Sequence, residues 1–336
     1  MQLNQIKVLK AILRLLVVLL SISFLSIEVL AEKKYILKYA ALAPEGSIWA
    51  KNVRQMQREL RKKSGGKLIM KPYLSGVAGD EKTMTRKLRA GSIDIASFSG
   101  MGLGYILPQV RVLELPMFFS NYRQVDKVTK ALSPKFEQGF LKKGYRFAAW
   151  GEGGFVYLLS RNPIHSYKDM RGKRIWAPAG DKIVQAVFIK YGLVPTYLGF
   201  ESVLPQLQTG GIDAIYGPPM AVIGLQWFQE VKYLTDLKLA YSTGATLINN
   251  KKFSKLPIKY QNLLLKTVKK YSKRLKRKLR KENQKGLRIL QKKGIRTVKM
   301  NKAEVQRLRK ISIKVQDSLV GKQYPADVLK TARKNR

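Results

Sequence analysis

The chain has 336 residues and a formal net charge of +44, with 65 lysine and arginine residues against 21 aspartate and glutamate residues. It contains no cysteine, which excludes a disulfide framework, a thiol nucleophile and a lipid anchor on a thiol. Because His165 is the only histidine, zinc sites built from histidine and cysteine are excluded as well. A chain of this length buries a large core without covalent staples, and its length favours two domains.

The N-terminus has the layout of a secretory signal peptide. Basic residues up to Arg14 precede an uncharged, mostly apolar run over 15–27, and Val29-Leu30-Ala31 follows with residues that a cleavage site tolerates. The run is shorter than the roughly 20 residues that a membrane-spanning helix needs, which disfavours an uncleaved anchor. We therefore predict a signal peptide over 1–31 and a mature protein that is periplasmic, soluble and not lipid-anchored.

Helical and extended patterns alternate after the signal segment. Strands are predicted over 35–41, 67–73 and 93–98, and the helix between the last two begins at Asp80-Glu81 and ends at Gly91. This alternation predicts an α/β fold in which parallel strands are flanked by helices.

A weak internal repeat with the pattern L-x-x-G-x-I-D occupies 88–94 and 207–213. In each copy a glycine ends a helix, because glycine tolerates the left-handed conformation of a C-cap, and a strand follows at once. Ligands of open α/β sheets bind beyond the carboxyl ends of such strands, so two facing ends predict a cleft between two similar lobes. The residues at these ends are candidate ligand contacts: Ser99, Gly100, Tyr216, Gly217 and Pro218.

Two crossings between the lobes and one long helix complete the predicted architecture. The apolar and then glycine-rich stretch 147–154 suits the first crossing, and 243–249 suits the return. The stretch 257–293 is a single helical pattern, long enough to pack against both lobes. The predicted lobes are 32–153 plus 243–282 and 154–242 plus 283–336.

The positive charge invites a nucleic-acid interpretation, because phosphate neutralisation dominates sequence-independent binding. The predicted export, the spread of basic residues along the whole chain and the lack of a recognised motif argue against it. The densest basic stretch, 266–285, lies on the predicted long helix, where charged residues usually form a solvated face. We therefore expect no nucleic-acid partner; the charge instead favours adsorption to anionic lipid headgroups or steers an anionic ligand.

Catalytic chemistry finds little support among the side chains. His165 follows Pro163 in a polar loop that is typical of a surface turn. Gly151-x-Gly153-Gly154 has neither the P-loop nor the dinucleotide-binding spacing and is more simply a flexible crossing. No pair of carboxylates stands out by its spacing as an acid–base site. We expect a binding protein rather than an enzyme, without catalytic residues, metal or cofactor.

Four aromatic residues fall at predicted strand ends or in the adjoining loops: Trp150, Trp176, Phe200 and Tyr216. Each one alone is better explained by core packing than by ligand contact. Together, at the junction of two lobes, they predict a pocket lined with flat apolar surface.

A series of short motifs spans nearly the whole mature chain. They are Lys62-x-Ser64-Gly65-Gly66-Lys67, Gly79-Asp80-Glu81, Leu88-x-x-Gly91-x-Ile93-Asp94, Leu115-Pro116-Met117-Phe118, Asp169-Met170-Arg171-Gly172-Lys173-Arg174, Phe200-x-x-Val203-x-x-x-Leu207-Gln208-Thr209-Gly210 and Asp213. In this order the series resembles the solute receptors of tripartite ATP-independent periplasmic (TRAP) transporters. The resemblance implies a two-lobed periplasmic binding protein, type II-like, with a long helix spanning both lobes and hinge closure around a ligand. It also implies delivery of that ligand, usually a carboxylate, to a two-component permease driven by an ion gradient.

The resemblance implies site residues as well. The arginine that pairs with the ligand carboxylate in that family corresponds to Trp176 in this sequence, and an auxiliary arginine would fall near Val156. The family's asparagine after the second aspartate strand is matched by Gly217. Arg174, two residues before Trp176, is either a substitute or a solvent-exposed side chain. Because tryptophan supplies a stacking face in place of five donors, we expect a ligand other than a simple carboxylate.

The candidate ligand contacts are Trp176, Trp150, Ser99, Gly100, Phe200, Tyr216, Gly217, Pro218, Arg174, Asp80 and Glu81. The expected partners are a small-molecule ligand and the membrane permease subunits of a TRAP transporter, and we expect a monomer. Two other interpretations stay open: an exported, envelope-associated adhesion protein on the same fold, and a solute receptor of the ABC type. Neighbouring genes would distinguish them, since a TRAP receptor accompanies one small and one large membrane protein.

Overall fold

A computed structural model describes residues 33–336, and the signal peptide predicted over 1–31 lies outside the described residues. Residues Ile36–Arg336 form one compact unit. The strands are β1 Tyr35–Ala40, β2 Leu68–Tyr73, β3 Ile95–Ser99, β4 Tyr145–Ser160, β5 Ile175–Pro178, β6 Pro195–Leu198, β7 Ala214–Gly217, β8 Tyr233–Asn249 and β9 Arg296–Val298. The α-helices are α1 Ile48–Lys63, α2 Glu81–Ala90, α3 Gly100–Ile106, α4 Tyr122–Lys142, α5 Lys182–Tyr191, α6 Phe200–Gln208, α7 Pro219–Gly224, α8 Asn250–Ser254, α9 Ile258–Lys292, α10 Lys302–Ser318 and α11 Ala326–Asn335.

The strands form one mixed sheet in the order β2-β1-β3-β8-β4-β7-β5-β6, with β9 paired to β8. β1 and β3 are parallel, and β5 is parallel to both β6 and β7, as the alternating pattern predicts. β4 and β8 are 16 and 17 residues long and pair antiparallel along all of β4, from Tyr145 to Ser160. They connect a first half-sheet, β2-β1-β3, to a second half-sheet, β7-β5-β6. The glycine-rich crossing at 147–154 is therefore a strand rather than a flexible linker, because its backbone groups pair with β8, with irregularities in register at Phe147/Ala149 and Glu152/Gly154.

The two L-x-x-G-x-I-D segments form the same local structure. Each has its first glycine in the left-handed conformation, with φ angles of 73° and 75°. Asp94 accepts a hydrogen bond from the backbone N–H of Lys38 at 2.7 Å, and Asp213 accepts one from that of Arg174 at 2.9 Å. Each aspartate thereby ties the start of its strand to the parallel neighbour. The aspartate, three residues after the first glycine, therefore has the same structural role in both copies of the repeat.

Helix α9 is the long helix predicted over 257–293, and it contacts elements of both half-sheets. Tyr271 donates a hydrogen bond to Glu59 of α1 at 2.9 Å. Further along, Asn283 accepts a hydrogen bond from the backbone N–H of Met220 in α7 at 3.0 Å. The helix therefore packs against both halves of the molecule.

Buried apolar side chains form a continuous core that runs beneath both half-sheets. A second cluster, which includes Tyr167, Phe188, Tyr191 and Leu308, lies between α5 and α10. Within residues 33–336, no helix combines the length and the apolar character needed to cross a membrane.

Candidate ligand-binding site

The loops that follow β3 and β5 bring the two half-sheets together. β3 ends at Ser99 and runs directly into α3, and β5 ends at Pro178, shortly before the residue that caps α5. A 3-10 helix, Pro108–Glu114, follows α3 and places a basic side chain against that cap. Carboxyl ends of parallel strands are the positions beyond which open α/β sheets bind ligands.

Arg111 joins the two half-sheets through a buried ion pair with Asp181. Arg111 Nη2 donates to both carboxylate oxygens of Asp181, at 3.0 and 2.8 Å, and the two residues are 6% and 5% exposed. Asp181 Oδ1 also accepts hydrogen bonds from the backbone N–H groups of Ile183 and Val184, in the first turn of α5. The carboxylate is therefore held in place both by the arginine and by the start of the helix.

Glu114 lies on the other side of the Arg111 guanidinium. Its Oε2 lies 2.9 Å from Arg111 Nε, and its Oε1 accepts a hydrogen bond from the backbone N–H of Thr243 in β8 at 2.9 Å. Burial raises the pKa of Glu114 to about 7, against the opposing effect of the Arg111 charge. A Cβ atom on Gly100 would lie 2.1 Å from the Glu114 carboxylate carbon, so the close approach of this carboxylate requires glycine.

A third buried carboxylate, Glu81, binds the end of β3. Its Oε1 accepts a hydrogen bond from the backbone N–H of Ser99 at 2.5 Å, and its Oε2 accepts one from the Ser99 hydroxyl at 2.6 Å. Burial raises the pKa of Glu81, and these hydrogen bonds and the charge of Arg111 oppose that rise. Asp80, by contrast, is exposed and caps α2 by accepting from the backbone N–H of Thr83. We call Arg111, Glu81, Glu114 and Asp181 the charged cluster.

Four aromatic side chains of the second half-sheet form an aromatic cluster: Trp176, Phe200, Tyr216 and Trp227. The ring centroid of Trp176 lies 5.2 Å from those of Phe200 and Tyr216 and 5.1 Å from that of Trp227. Trp176 is 2% exposed and donates from Nε1 to the Leu198 carbonyl at 3.1 Å, whereas Phe200 is 40% exposed. Trp176 is therefore the centre of the aromatic cluster, and Phe200 is its accessible member.

Tyr216 connects the aromatic cluster to the charged cluster. Its hydroxyl oxygen is buried and has no hydrogen-bond partner within the described part of the chain. Burial raises the pKa of this hydroxyl, and the negative charges of Asp181 and Glu114 raise it further. A buried hydroxyl without a partner retains its capacity to bind a polar group.

Arg174 lies away from both clusters. Its side chain is 56% exposed and forms a bidentate ion pair with Asp213, with Nη2 at 2.9 Å and Nε at 3.1 Å from the carboxylate oxygens. The structure thus gives Arg174 a partner in its own half-sheet, at the strand start rather than at the strand end.

Three other predicted contacts pack against the crossing strands. Trp150 packs against Phe147 and donates from Nε1 to the Ser133 hydroxyl of α4 at 2.6 Å. Gly217 pairs with β4, and Pro218 lies beside the glycine at 153 in the same strand. Of the predicted residues, the structure therefore brings Ser99, Gly100 and Glu81 to the charged cluster, and Trp176, Phe200 and Tyr216 to the aromatic cluster.

Sequence reasoning did not single out Arg111, Glu114, Asp181 or Trp227. One signal was available for the arginine, which interrupts an apolar run between Leu107 and Leu115. Asp181 follows a strand by three residues, which is where a helix cap and a ligand contact both occur. Buried charges where the two half-sheets meet, with aromatic rings on the second half-sheet beside them, are the kind of surface that lines the ligand cleft of a solute receptor.

The chain belongs to the DctP family, described as bacterial extracellular solute-binding protein, family 7, whose model matches residues 39–323. It is 23% identical over 241 residues to the sialic acid-binding periplasmic protein SiaP of Vibrio cholerae, a match that covers 70% of this chain and 73% of that protein. Family 7 comprises extracytoplasmic binding proteins of TRAP transporters, not enzymes, which confirms the predicted family and the predicted absence of enzymatic activity.

Solved structures confirm the two-lobed α/β fold. The sugar acid binding protein DctPAm of Advenella mimigardefordensis, in complex with galactonate, has a TM-score of 0.83 at 21% identity, covering 90% of this chain and 99% of that one. A Bordetella pertussis extracytoplasmic solute receptor that binds pyroglutamic acid has a TM-score of 0.83 at 20% identity, covering 89% and 99%.

Proposed function

We propose that this chain is the solute receptor of a TRAP-type secondary transporter, which binds a small organic molecule between its two lobes and delivers it to the membrane permease. The buried Arg111–Asp181 ion pair carries the proposal, because it joins loops that follow β3 and β5, where open sheets bind ligands. The signal-peptide layout of residues 1–31 supports a periplasmic location, and the receptor acts as a monomer.

Ligand exchange in this proposal is a hinge motion of β4 and β8. These strands connect lobe I, 32–153 plus 243–282, to lobe II, 154–242 plus 283–336. Opening separates Arg111 from Asp181 and admits the solute, and closing excludes water from the charged and aromatic clusters.

The ligand in this proposal differs from a simple carboxylate held by an arginine on β5. Trp176 occupies the position of the arginine in the resembling family, and its only polar group, Nε1, is already used by the Leu198 carbonyl. The relatives named above bind sialic acid, galactonate and pyroglutamic acid. In this chain the aromatic cluster supports stacking in place of an ion pair at that position.

A transport experiment tests the function. Small molecules released by denaturing the natively purified protein are identified by mass spectrometry, and their uptake is measured in proteoliposomes that contain the candidate permease pair. Uptake should require both this receptor and an ion gradient, and small-angle scattering of the receptor should show contraction when the solute is added. Uptake that requires ATP would assign the chain to the ABC type, and receptor-independent uptake would contradict the proposal.

A further inference from the structure

We infer that the outer face of α9 binds the headgroups of an anionic phospholipid bilayer, so that the receptor adsorbs to the membrane surface. No residue of the charged or aromatic cluster belongs to α9, so the inference goes beyond the proposed function. Its basis is a basic stripe of exposed side chains that make no ion pair within residues 33–336. The basic stripe consists of Lys266, Lys273, Arg277, Lys281 and Arg288.

The basic stripe follows from the spacing of its residues along the helix. Successive members are seven, four, four and seven positions apart, and at 3.6 residues per turn these spacings return to the same side of a helix. At a rise of about 1.5 Å per residue, the stripe runs for roughly 33 Å along the surface. Leu264, Leu279 and Leu290, on the opposite side of α9, are buried. A line of positive charge therefore faces solvent along much of the helix.

The acidic side chains on and beside α9 are already paired with other basic residues. They form the pairs Glu59–Lys270, Asp126–Lys276 and Glu282–Lys285, with distances of 2.6, 2.6 and 3.3 Å. Like charges three or four positions apart on a helix repel one another and destabilise it. A negatively charged surface beside the stripe relieves this repulsion, because opposite charges then lie close to each lysine and arginine.

An open groove between side chains of α9 provides room for phosphate groups beside the stripe. Five of its six lining residues are basic, and one of these, Arg280, is already paired with Asp126 and Glu152. The lining consists of Arg274, Arg277, Lys278, Arg280, Lys281 and Gln284. Guanidinium and ammonium groups bind phosphate oxygens through charge-assisted hydrogen bonds. The face therefore matches phospholipid headgroups in chemistry as well as in charge.

A bilayer fits this face better than a protein or a nucleic acid does. Protein interfaces are anchored by apolar and aromatic side chains, but the exposed large apolar side chains of α9 are Ile258 and Ile289, near its two ends. Its two tyrosines, Tyr260 and Tyr271, are buried, so neither can stack on a nucleic-acid base. Attraction to a charged lipid surface requires only basic residues close to the headgroups.

Adsorption of this kind favours delivery to a membrane permease. A receptor held at the bilayer searches for the permease in two dimensions rather than three. Screening limits the attraction to about 8 Å at physiological salt, so the contact forms only at the surface and is readily reversed.

Vesicle sedimentation tests the inference. The mature wild-type protein is mixed with vesicles of phosphatidylcholine, either alone or with phosphatidylglycerol. It should bind the anionic vesicles, less tightly as salt is added, and should bind the neutral vesicles only weakly. Lys266→Gln, Lys273→Gln and Lys281→Gln, combined in one variant, should lower the affinity for anionic vesicles by about tenfold or more. Arginine at the same three positions should retain the wild-type affinity, since the charge is kept.

A triple variant on α10 is the matched control. Lys302→Gln, Lys310→Gln and Lys314→Gln remove three lysine charges that are likewise exposed and make no ion pair within the described part of the chain. This variant should change the affinity for anionic vesicles by less than about threefold, because charges beyond the screening length of the bilayer contribute little. Equal losses in the two variants overturn the assignment to α9. Equal binding of wild type to neutral and anionic vesicles overturns the electrostatic contact.

Two further probes distinguish the other partners of a basic face. If duplex DNA binds more tightly than anionic vesicles and the α9 variant loses that binding, the partner is a nucleic acid and the inference fails. It also fails if neutral vesicles that contain the candidate permease bind through the basic stripe while anionic vesicles without the permease do not bind. These outcomes leave the proposed function intact, because solute binding and uptake are measured separately.

Discussion

The charged cluster and the outer face of α9 differ in how their charged side chains are stabilised. In α9 Glu282 is the only acidic residue, and basic residues recur every three or four positions. Arg277 and Lys278 are exposed and make no ion pair within residues 33–336. Charges that face water interact weakly, so many like charges are tolerated there.

In the charged cluster, charged side chains are few and are paired. Every ionised group in the charged cluster has a partner of opposite charge or several hydrogen bonds, because burying a charge without them costs several kcal/mol. The net charge of +44 therefore describes the solvated surface.

The largest contrast is expected from removing one arginine in each region. Arg111→Gln leaves Asp181 and Glu114 without their cation and should lower the free energy of unfolding by about 4 kcal/mol. Arg277→Gln, on the outer face of α9, should change it by less than about 0.5 kcal/mol. Urea unfolding monitored by circular dichroism measures both. Equal effects of the two substitutions would remove the distinction between the regions.

Trp176→Ala should have the next largest effect, because it removes the centre of the aromatic cluster. A buried tryptophan replaced by alanine costs about 3 to 4 kcal/mol of stability, whereas Phe200→Ala should cost less because Phe200 is partly exposed. If Trp176 also stacks on the ligand, affinity should fall about 30-fold, equivalent to about 2 kcal/mol. Calorimetric affinity and the melting temperature are measured on the same variant. A loss of affinity below about threefold would assign Trp176 to packing alone.

The pH dependence of stability distinguishes the carboxylates of the charged cluster from those at the surface. Burial raises the pKa of Glu114 from its usual 4.5 to about 7, so between these values the folded chain binds a proton that the unfolded chain does not. The free energy of unfolding should therefore increase as pH falls from 7 to 4.5, by at most about 3 kcal/mol. The raised pKa of Glu81 acts in the same direction.

Surface carboxylates act in a different interval. Hydrogen bonds from Arg174 and Lys270 lower the pKa values of Asp213 and Glu59, so their contribution to stability is lost only below about pH 4. Urea titrations at pH 5, 6 and 7 on wild type and Glu114→Gln make the comparison. If the free energy of unfolding depends on pH in the variant as it does in wild type, Glu114 is not the titrating group.

The smallest effect is expected for the basic face itself. Replacing Lys273 and Lys278 together by glutamine removes two exposed charges and should alter stability by less than about 0.5 kcal/mol, with a slight gain at low salt as repulsion falls. Thermal unfolding at low and high salt measures this change in stability. A large loss would mean that these lysines have structural partners.

Much of the framework could be predicted because it depends on residues close in sequence. The helical periodicity over 257–293 predicts α9, which spans Ile258–Lys292, to within one residue at each end. Gly91 as a left-handed helix end and the strand after it also follow from local chemistry. The glycine-rich segment 147–154 was misleading, since strand pairing with β8 rather than glycine content determines its conformation.

The sequence by itself determined the elements, their order and the family, because periodicity, caps and short motifs are properties of neighbouring residues. Only the tertiary structure decided which side chains meet in the cleft. Arg111 and Asp181 are 70 positions apart and lie on loops from different half-sheets, so their contact depends on the strand order across β8 and β4. Burial, too, is a property of the packed molecule, and it raises the pKa of Glu114.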